Sequence, residues 1–146
     1  MEIDVLYGRG HLTCDVPDDR LSQVFRKSTI KPVDDPRQAV RDSLASPIGS
    51  KRLRETARGA KTACIVVNDI TRPVPNSLLL PEIIAELEAA GVPSDGIFLL
   101  NATGTHRSNL GDEIAELVGP EIAAKYRFEN HDAFDPDAHV PVGRTK

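Results

Sequence analysis

Two short polar segments place an acid, a base and guanidinium groups close together along the chain. The segment DITRPVP contains Asp69 and Arg72 between an apolar run and two prolines, and the segment TGTHR contains His106 and Arg107. Imidazoles and carboxylates transfer protons near neutral pH, and a guanidinium binds a carboxylate or a phosphate through two parallel hydrogen bonds. These residue types therefore predict a site that binds a small anionic ligand and exchanges a proton with it.

Each polar segment follows a predicted strand and precedes a predicted helix. The runs KTACIVVN and GIFLLNA are almost continuously apolar, which is typical of parallel strands whose two faces are both covered. Between them, apolar residues from Leu79 to Leu87 recur at helical spacing, with Asn76 or Ser77 as the helix cap. Two consecutive strand-loop-helix units predict neighbouring parallel strands. The two polar segments are therefore expected side by side at the carboxyl ends of those strands.

The rest of the chain predicts smaller elements around this unit. Residues 3–7 and 12–16 alternate apolar and polar on either side of GRGH, which predicts a β-hairpin. Asp35 caps a predicted helix, and RFEN and HVPVG are predicted as short strands. The predicted fold class is therefore α/β: a Rossmann-like, mostly parallel sheet with flanking helices and an N-terminal β-hairpin, in a single domain over residues 1–146.

Composition argues against several classes of protein. Hydrophobic residues make up 40% and charged residues 27% of the chain, which are ordinary globular values. A net charge of −4 with both signs interspersed argues against nucleic acid as a partner, and no apolar run reaches the roughly 20 residues of a membrane span. Cys14 and Cys64 lie among apolar neighbours without metal-ligand spacing, which predicts buried free thiols. We therefore expect a cytoplasmic protein.

Each candidate residue also has a purely structural interpretation. An Asp that follows a strand, such as Asp69, often caps a turn, and His106 can satisfy backbone groups of its own loop. Arg107 can form a surface ion pair that contributes little to stability. The run HDAFDPD resembles a metal cluster, but its spacing favours a turn rich in capping residues, and no metal ligand is predicted. His11 and His139 are interpreted as structural.

Four segments resemble the N-terminal domain of the nickel-dependent lactate racemase family. They are SPIGSKRLRE, NDITRPVPNSLLLPEIIAELEAAGVP, ATGTHR and ENHD, in this order. The resemblance extends from about Tyr7 to Gly143. A D-x-T-R-P-x-P loop that is followed some thirty residues later by T-G-x-H-R is far more specific than a lone glycine motif.

The resemblance implies an activity and a cofactor. Members of that family racemise or epimerise 2-hydroxy acids with a nickel pincer nucleotide, pyridinium-3,5-bisthiocarboxylic acid mononucleotide nickel, which is tethered to a lysine. Carried over residue by residue, Asp69 and Arg72 line the cleft, and His106 is one of two histidines that move the hydroxyl proton. Thr71, Arg72, Thr105 and Arg107 are the predicted substrate- or cofactor-binding residues.

The chemistry of such a reaction explains why this chain is expected to be only half of the enzyme. Racemisation through a keto acid needs a base, a cation for the carboxylate and a hydride acceptor. His106 can be the base and either Arg72 or Arg107 the cation, and no side chain accepts a hydride. In the family, the tether lysine, the nickel ligand and the second histidine lie in a C-terminal part, and this sequence ends at VPVGRTK before it. We therefore expect residues 1–146 to be inactive alone, as a natural or recombinant fragment or as one half of a split enzyme.

Two other classes of function remain open from the sequence. One is a non-catalytic anion- or nucleotide-binding module, in which helix N-termini after residues 75 and 107 hold a phosphate. No G-x-G-x-x-G follows a predicted strand, which argues against ordinary dinucleotide binding. The other is a non-catalytic domain that serves assembly.

Overall fold

The computed structural model describes residues 1–145, and the chain divides into two compact units. The first unit is Met1–Pro32 and the second begins at Val33. Within the described part of the chain, no helix has both the length and the apolar character needed to cross a membrane.

The first unit is built on a two-stranded antiparallel hairpin. Strand β1 (Glu2–Tyr7) pairs with β2 (Gly10–Asp15), and Tyr7 lies opposite Gly10. The two-residue turn between them begins at Gly8, which has a φ of +59°. A glycine at this position allows the positive φ that matches a tight turn to the twist of the strands. The hairpin predicted from GRGH is confirmed.

The second unit is a three-stranded parallel sheet with helices. Its described elements are α1 (Pro36–Ala45), α2 (Leu53–Thr56), β3 (Ala63–Asn68), α3 (Asn76–Ala89), β4 (Ile97–Ala102), α4 (Asp112–Val118), α5 (Pro120–Lys125) and β5 (Arg127–Asn130). The strand order is β3-β4-β5, and both pairs of strands are parallel. The predicted α/β class, with a parallel sheet, flanking helices and an N-terminal hairpin, is confirmed.

The pairing of β3 with β4 places the two polar loops next to each other. Asn68 at the end of β3 lies opposite Ala102 at the end of β4. Because parallel strands carry their carboxyl ends at the same edge, the loop that begins at Asp69 and the loop that begins at Thr103 leave the sheet at neighbouring points. The neighbour relation predicted from the apolar runs is therefore confirmed.

The hydrophobic core lies on one face of the sheet. It is formed by alternate strand residues and by the helices that pack on them: Val67, Ile97, Leu99, Leu80, Ile84, Leu87, Leu117, Val118 and Ile122. The intervening residues of β3 lie on the other face, where Val66 is 64% exposed and Cys64 is exposed. The prediction that both faces are covered is therefore wrong for β3, because no helix of the second unit packs over these side chains.

Three smaller predictions are corrected by the structure. Cys14 and Cys64 are exposed and not buried, since Cys14 lies on the two-stranded hairpin and Cys64 on the open face of β3. Helix α3 begins after Pro75, and no side chain caps it. The segment HVPVG forms no strand, whereas RFEN forms β5. The predicted cap of α1 is confirmed, because the backbone N–H of Gln38 donates to Asp35 Oδ1 at 2.9 Å.

Candidate active site

A polar cleft of about 340 Å³ lies where β3 and β4 end. Its lining comprises Asn68, Asp69 and Arg72 from the first loop and Ala102, Thr103, Gly104, Thr105 and His106 from the second. Four of the six residues that the sequence predicts for a site, namely Asp69, Arg72, Thr105 and His106, thus line one cleft. The structure brings these four residues together through the pairing of two strands that are far apart in sequence.

The carboxylate of Asp69 is buried and held by its own loop. Asp69 is 4% exposed, and its Oδ1 accepts the Thr71 hydroxyl at 2.6 Å and the Thr71 backbone N–H at 3.2 Å. The hydroxyl of Thr71, followed by the imidazole of His106, lowers the pKa of Asp69 below its ordinary value of 3.8. Asp69 is therefore a carboxylate at neutral pH, and the Thr71 hydroxyl donates its hydrogen bond to this carboxylate.

The imidazole of His106 is oriented by Asp69. His106 Nδ1 contacts Asp69 Oδ2. An ionised carboxylate only accepts hydrogen bonds, so Nδ1 carries the proton and donates, which leaves Nε2 of the neutral ring as an acceptor. The His106 side chain is 46% exposed, and it lines the cleft. Its partly exposed position leaves the ring accessible to a ligand there.

Tight turns hold both residues in these positions. The His106 backbone N–H donates to the Thr103 carbonyl at 3.0 Å, and Gly104 inside this turn has a φ of +59°. This backbone conformation favours glycine because a side chain would be strained there. In the first loop, the Arg72 backbone N–H donates to the Asp69 carbonyl at 3.1 Å. The T-G and D-x-T-R patterns thus position the acid and the base through local backbone geometry.

The two arginines have different surroundings. Arg72 is exposed, lines the cleft and, within residues 1–145, has no ion-pair partner. Arg107 donates to the two carboxylate oxygens of Glu113 at 2.6 and 2.8 Å and does not line the cleft. This bond, followed by one from Asn109, lowers the pKa of Glu113 to about 2. Arg72 is thus the guanidinium available to an anionic ligand, and the binding role of Arg107 stays a prediction.

Three asparagines form a buried network that the sequence did not single out. Asn101 Nδ2 donates to Asn109 Oδ1 at 3.0 Å and to Asn130 Oδ1 at 2.8 Å. Asn101 and Asn109 are 0% and 2% exposed. The one signal in the sequence is Asn101 itself, a polar residue near the end of the apolar run IFLLNA, where an apolar side chain would otherwise continue the core.

The acidic run near the C-terminus behaves as the capping interpretation predicts. Asp132 Oδ1 accepts from the Phe134 backbone N–H and Asp135 Oδ1 accepts from the Asp137 backbone N–H, both at 2.9 Å. These carboxylates are therefore used within their own turns. Among the described residues, no group of three or more histidine, cysteine or carboxylate side chains is arranged to hold a metal ion.

The lowered pKa of Asp69 predicts a pH dependence of stability. A carboxyl group whose folded pKa lies below its unfolded value stabilises the fold above the unfolded pKa, and this contribution is lost as the pH falls through the folded pKa. We therefore expect Asp69→Asn to have a lower free energy of unfolding than wild type at pH 7. This difference in free energy is expected to become smaller as the pH falls below the ordinary pKa of an Asp carboxyl.

Urea unfolding of both proteins over an acidic pH series measures this effect. Asp95→Asn, which removes an exposed carboxylate outside the cleft, controls for the change in net charge. If the free energies of unfolding of wild type and Asp69→Asn differ by the same amount at pH 7 and at acidic pH, the assignment of an ionised, hydrogen-bonded Asp69 is contradicted.

The fold and the cleft together define a class of protein. A parallel α/β sheet with its polar cleft beyond the carboxyl ends of two neighbouring strands is the arrangement that α/β proteins use to bind small ligands. The Asp69–His106 pair adds the acid–base groups of a proton-transfer site, and Arg72 adds a group that binds anions. The chain is therefore an α/β protein whose cleft has the groups to bind a small anion and to exchange a proton with it.

Comparison with known proteins identifies the family. The family described as "Lactate racemase N-terminal domain" matches residues 7–146. The lactate racemase of Thermoanaerobacterium thermosaccharolyticum is 32% identical over 143 residues, covering 97% of this chain and 33% of the relative. That of Lactiplantibacillus plantarum is 30% identical over 144 residues, covering 97% of this chain and 34% of the relative. The chain therefore belongs to the lactate racemase family and corresponds to its N-terminal domain.

A solved structure agrees with this assignment. The lactate racemase apoprotein of Thermoanaerobacterium thermosaccharolyticum superimposes with a TM-score of 0.69 at 31% identity, covering 90% of this chain and 30% of that one. The chain thus spans about a third of the length of the relatives it matches.

Proposed function

We propose that the cleft is the N-terminal half of an active site that racemises or epimerises lactate-like 2-hydroxy acids by proton-coupled hydride transfer, with a nickel pincer nucleotide as cofactor. The observation that carries this proposal is the Asp69–His106 contact in a cleft that also holds the available guanidinium of Arg72. An oriented base and a carboxylate-binding group in one cleft match two of the three requirements of the reaction.

Each residue has a distinct role in this proposal. Arg72 binds the substrate carboxylate, because its planar guanidinium donates two parallel hydrogen bonds. His106 Nε2 takes the proton from the substrate hydroxyl and later returns it. Asp69 keeps the imidazole in the tautomer that leaves Nε2 unprotonated and stabilises the imidazolium that forms.

The cleft residues fit an anionic organic group better than a metal ion. They offer the guanidinium of Arg72, the hydroxyl of Thr105 and the backbone of Gly104, next to which a Cβ would meet nothing within 4 Å, while Asp69 and His106 bond to each other. Thr105 would contact an anionic group of the nucleotide, and the nickel ligands and the lysine tether would come from outside the described residues. When bound, the cofactor supplies the hydride acceptor that the side chains of this chain lack.

A non-catalytic anion- or nucleotide-binding module is the alternative function. The guanidinium of Arg72, which has no ion-pair partner in the described part of the chain and lines the cleft, is the observation that favours it. Such a module needs a cation, but it needs no buried carboxylate that orients an imidazole towards the ligand. Racemisation uses both the guanidinium of Arg72 and the imidazole of His106 that Asp69 orients.

An NMR titration of residues 1–146 separates the two functions. L-lactate and propionate carry the same carboxylate, and propionate lacks the hydroxyl. We expect both anions to shift the side-chain signals of Arg72, and lactate alone to shift the Nε2 signal of His106. Equal shifts of His106 with both anions would favour the anion-binding module, and the absence of any shift at Arg72 would contradict both functions.

A further inference from the structure

Asn109 lies between the two loops that carry the acid and the base. Its Oδ1 accepts the backbone N–H of Ile70, the residue after Asp69, at 3.3 Å. Asn109 itself lies three residues after His106 in the second loop. One buried side-chain amide thus joins the loop of the carboxylate to the loop of the imidazole.

The backbone of Asn109 is fixed by a second asparagine. The Asn109 N–H donates to Asn130 Oδ1 at 3.1 Å, and Asn130 Nδ2 donates to the Asn109 carbonyl at 3.0 Å. Since Asn130 is the last residue of β5, this pair of bonds fastens the second loop to the edge of the sheet. The side chain of Asn109 is therefore presented to Ile70 from a fixed backbone.

Two further bonds complete the environment of the Asn109 side chain. Oδ1 also accepts from Asn101 Nδ2 at 3.0 Å, and Nδ2 donates to Glu113 Oε2 at 3.1 Å. The amide group is thus bonded at both its oxygen and its nitrogen, and a residue with a shorter or an apolar side chain would leave buried partners unsatisfied.

One atom of the asparagine network destabilises the fold, and packing alone does not explain why the network is present. Asn101 Oδ1 is buried and, among the described residues, has no hydrogen-bond partner. A buried unsatisfied acceptor destabilises the fold, and an apolar core at the ends of β4 and β5 would avoid it. Polar groups retained in such a place are typical of sites where geometry matters more than stability.

We infer that Asn109 is a positioning residue that maintains the contact between Asp69 and His106 by holding their two loops at a fixed separation. It touches neither the cleft nor the reacting groups, and it acts through the backbone of Ile70. Its importance for catalysis rests on the proposed function, whereas its effect on the Asp69–His106 contact does not.

NMR of residues 1–146 tests this inference without substrate or cofactor. The Nδ1–H signal of an imidazole bonded to a carboxylate lies at low field and exchanges slowly with solvent. We expect this signal for His106 in wild type, and its loss in Asn109→Ala, as in Asp69→Asn, which removes the acceptor charge directly. The Ile70 amide is expected to exchange roughly fivefold faster in Asn109→Ala, which corresponds to the loss of one ordinary hydrogen bond.

A matched control separates positioning from general stability. Asn76 is also a buried asparagine, its Nδ2 has no partner among the described residues, and it lies outside the network. We expect Asn76→Ala to retain the His106 Nδ1–H signal. If Asn109→Ala does not fold, Asn109→Ser keeps a polar side chain that is too short to reach Ile70 and is expected to lose the same signal.

Three results would overturn the inference. They are a His106 Nδ1–H signal that persists in a folded Asn109 variant, an equal loss of that signal in Asn76→Ala, and an Ile70 amide that exchanges in wild type as fast as an unbonded one. A failure of the proposed function would give another result: the Asn109 variants would still change the His106 Nδ1–H signal and the Ile70 amide exchange, but lactate would shift no signal in the cleft.

Discussion

Replacing His106 by alanine is expected to lower kcat for racemisation by about 10²–10⁴-fold, the usual effect of removing a general acid–base group. The assay requires residues 1–146 joined to the part of a lactate racemase that lies beyond its N-terminal domain, and we call this joined protein the full-length enzyme. Because alanine leaves Arg72 in place, the substrate carboxylate still has its partner, and KM is expected to change less than kcat. Steady-state kinetics with each lactate enantiomer measure both constants.

His11→Ala is the matched control for this variant. His11 is exposed on β2 in the first unit and does not line the cleft. Its replacement removes an imidazole without touching the Asp69 contact, so we expect wild-type kinetics. A His106→Ala enzyme with wild-type kcat would show that another group takes the hydroxyl proton.

Replacing Arg72 by lysine is expected to lower kcat/KM by roughly ten- to a hundredfold. Lysine keeps the positive charge but loses the second parallel hydrogen bond to the carboxylate, and a hydrogen bond to a charged group contributes about 1.5–3 kcal/mol. Since 1.4 kcal/mol corresponds to a factor of ten, this loss gives the stated range. The effect is expected to appear largely in KM, because the carboxylate is bound in both the ground state and the transition state.

Arg58→Lys makes the same chemical change elsewhere on the surface. Arg58 is exposed and lies outside the cleft, so kcat/KM is expected to remain at the wild-type value. An Arg72→Lys enzyme that also keeps the wild-type kcat/KM would assign the carboxylate to another cation and would leave Arg72 as a surface residue.

Local sequence patterns were sufficient to predict the frame of the site. Two apolar runs, each followed by a polar loop and a helical segment, predicted that Asn68 and Ala102 end neighbouring parallel strands, and their pairing confirms it. The TGTHR segment was predicted as a polar loop after the second strand, and in the structure Gly104 of this loop has a positive φ. Each strand-loop-helix pattern is local in sequence, and the rule that consecutive units of this kind place their strands side by side supplies the pairing.

Features that depend on distant partners were not predictable in this way. The Asn109–Asn130 pair joins residues 21 positions apart, and it forms only because β5 pairs with β4. Arg107 is a different case, because its partner Glu113 lies only six residues further on, and the sequence left Arg107 either in the cleft or on the surface. The exposure of Cys64 depends on whether another element covers the open face of β3, which an apolar run does not specify.

The proposed half-site is tested most directly by a chiral assay of lactate with the full-length enzyme and with residues 1–146 alone, both supplied with the same nickel pincer nucleotide. We expect the full-length enzyme to convert either enantiomer to a mixture of both. We expect residues 1–146 alone to give no detectable conversion, because no described side chain accepts a hydride and no described group of three or more histidine, cysteine or carboxylate side chains is arranged to hold a metal ion. Racemisation by residues 1–146 alone, or no interconversion of any 2-hydroxy acid by the full-length enzyme, would contradict the proposed half-site around Asp69, Arg72 and His106.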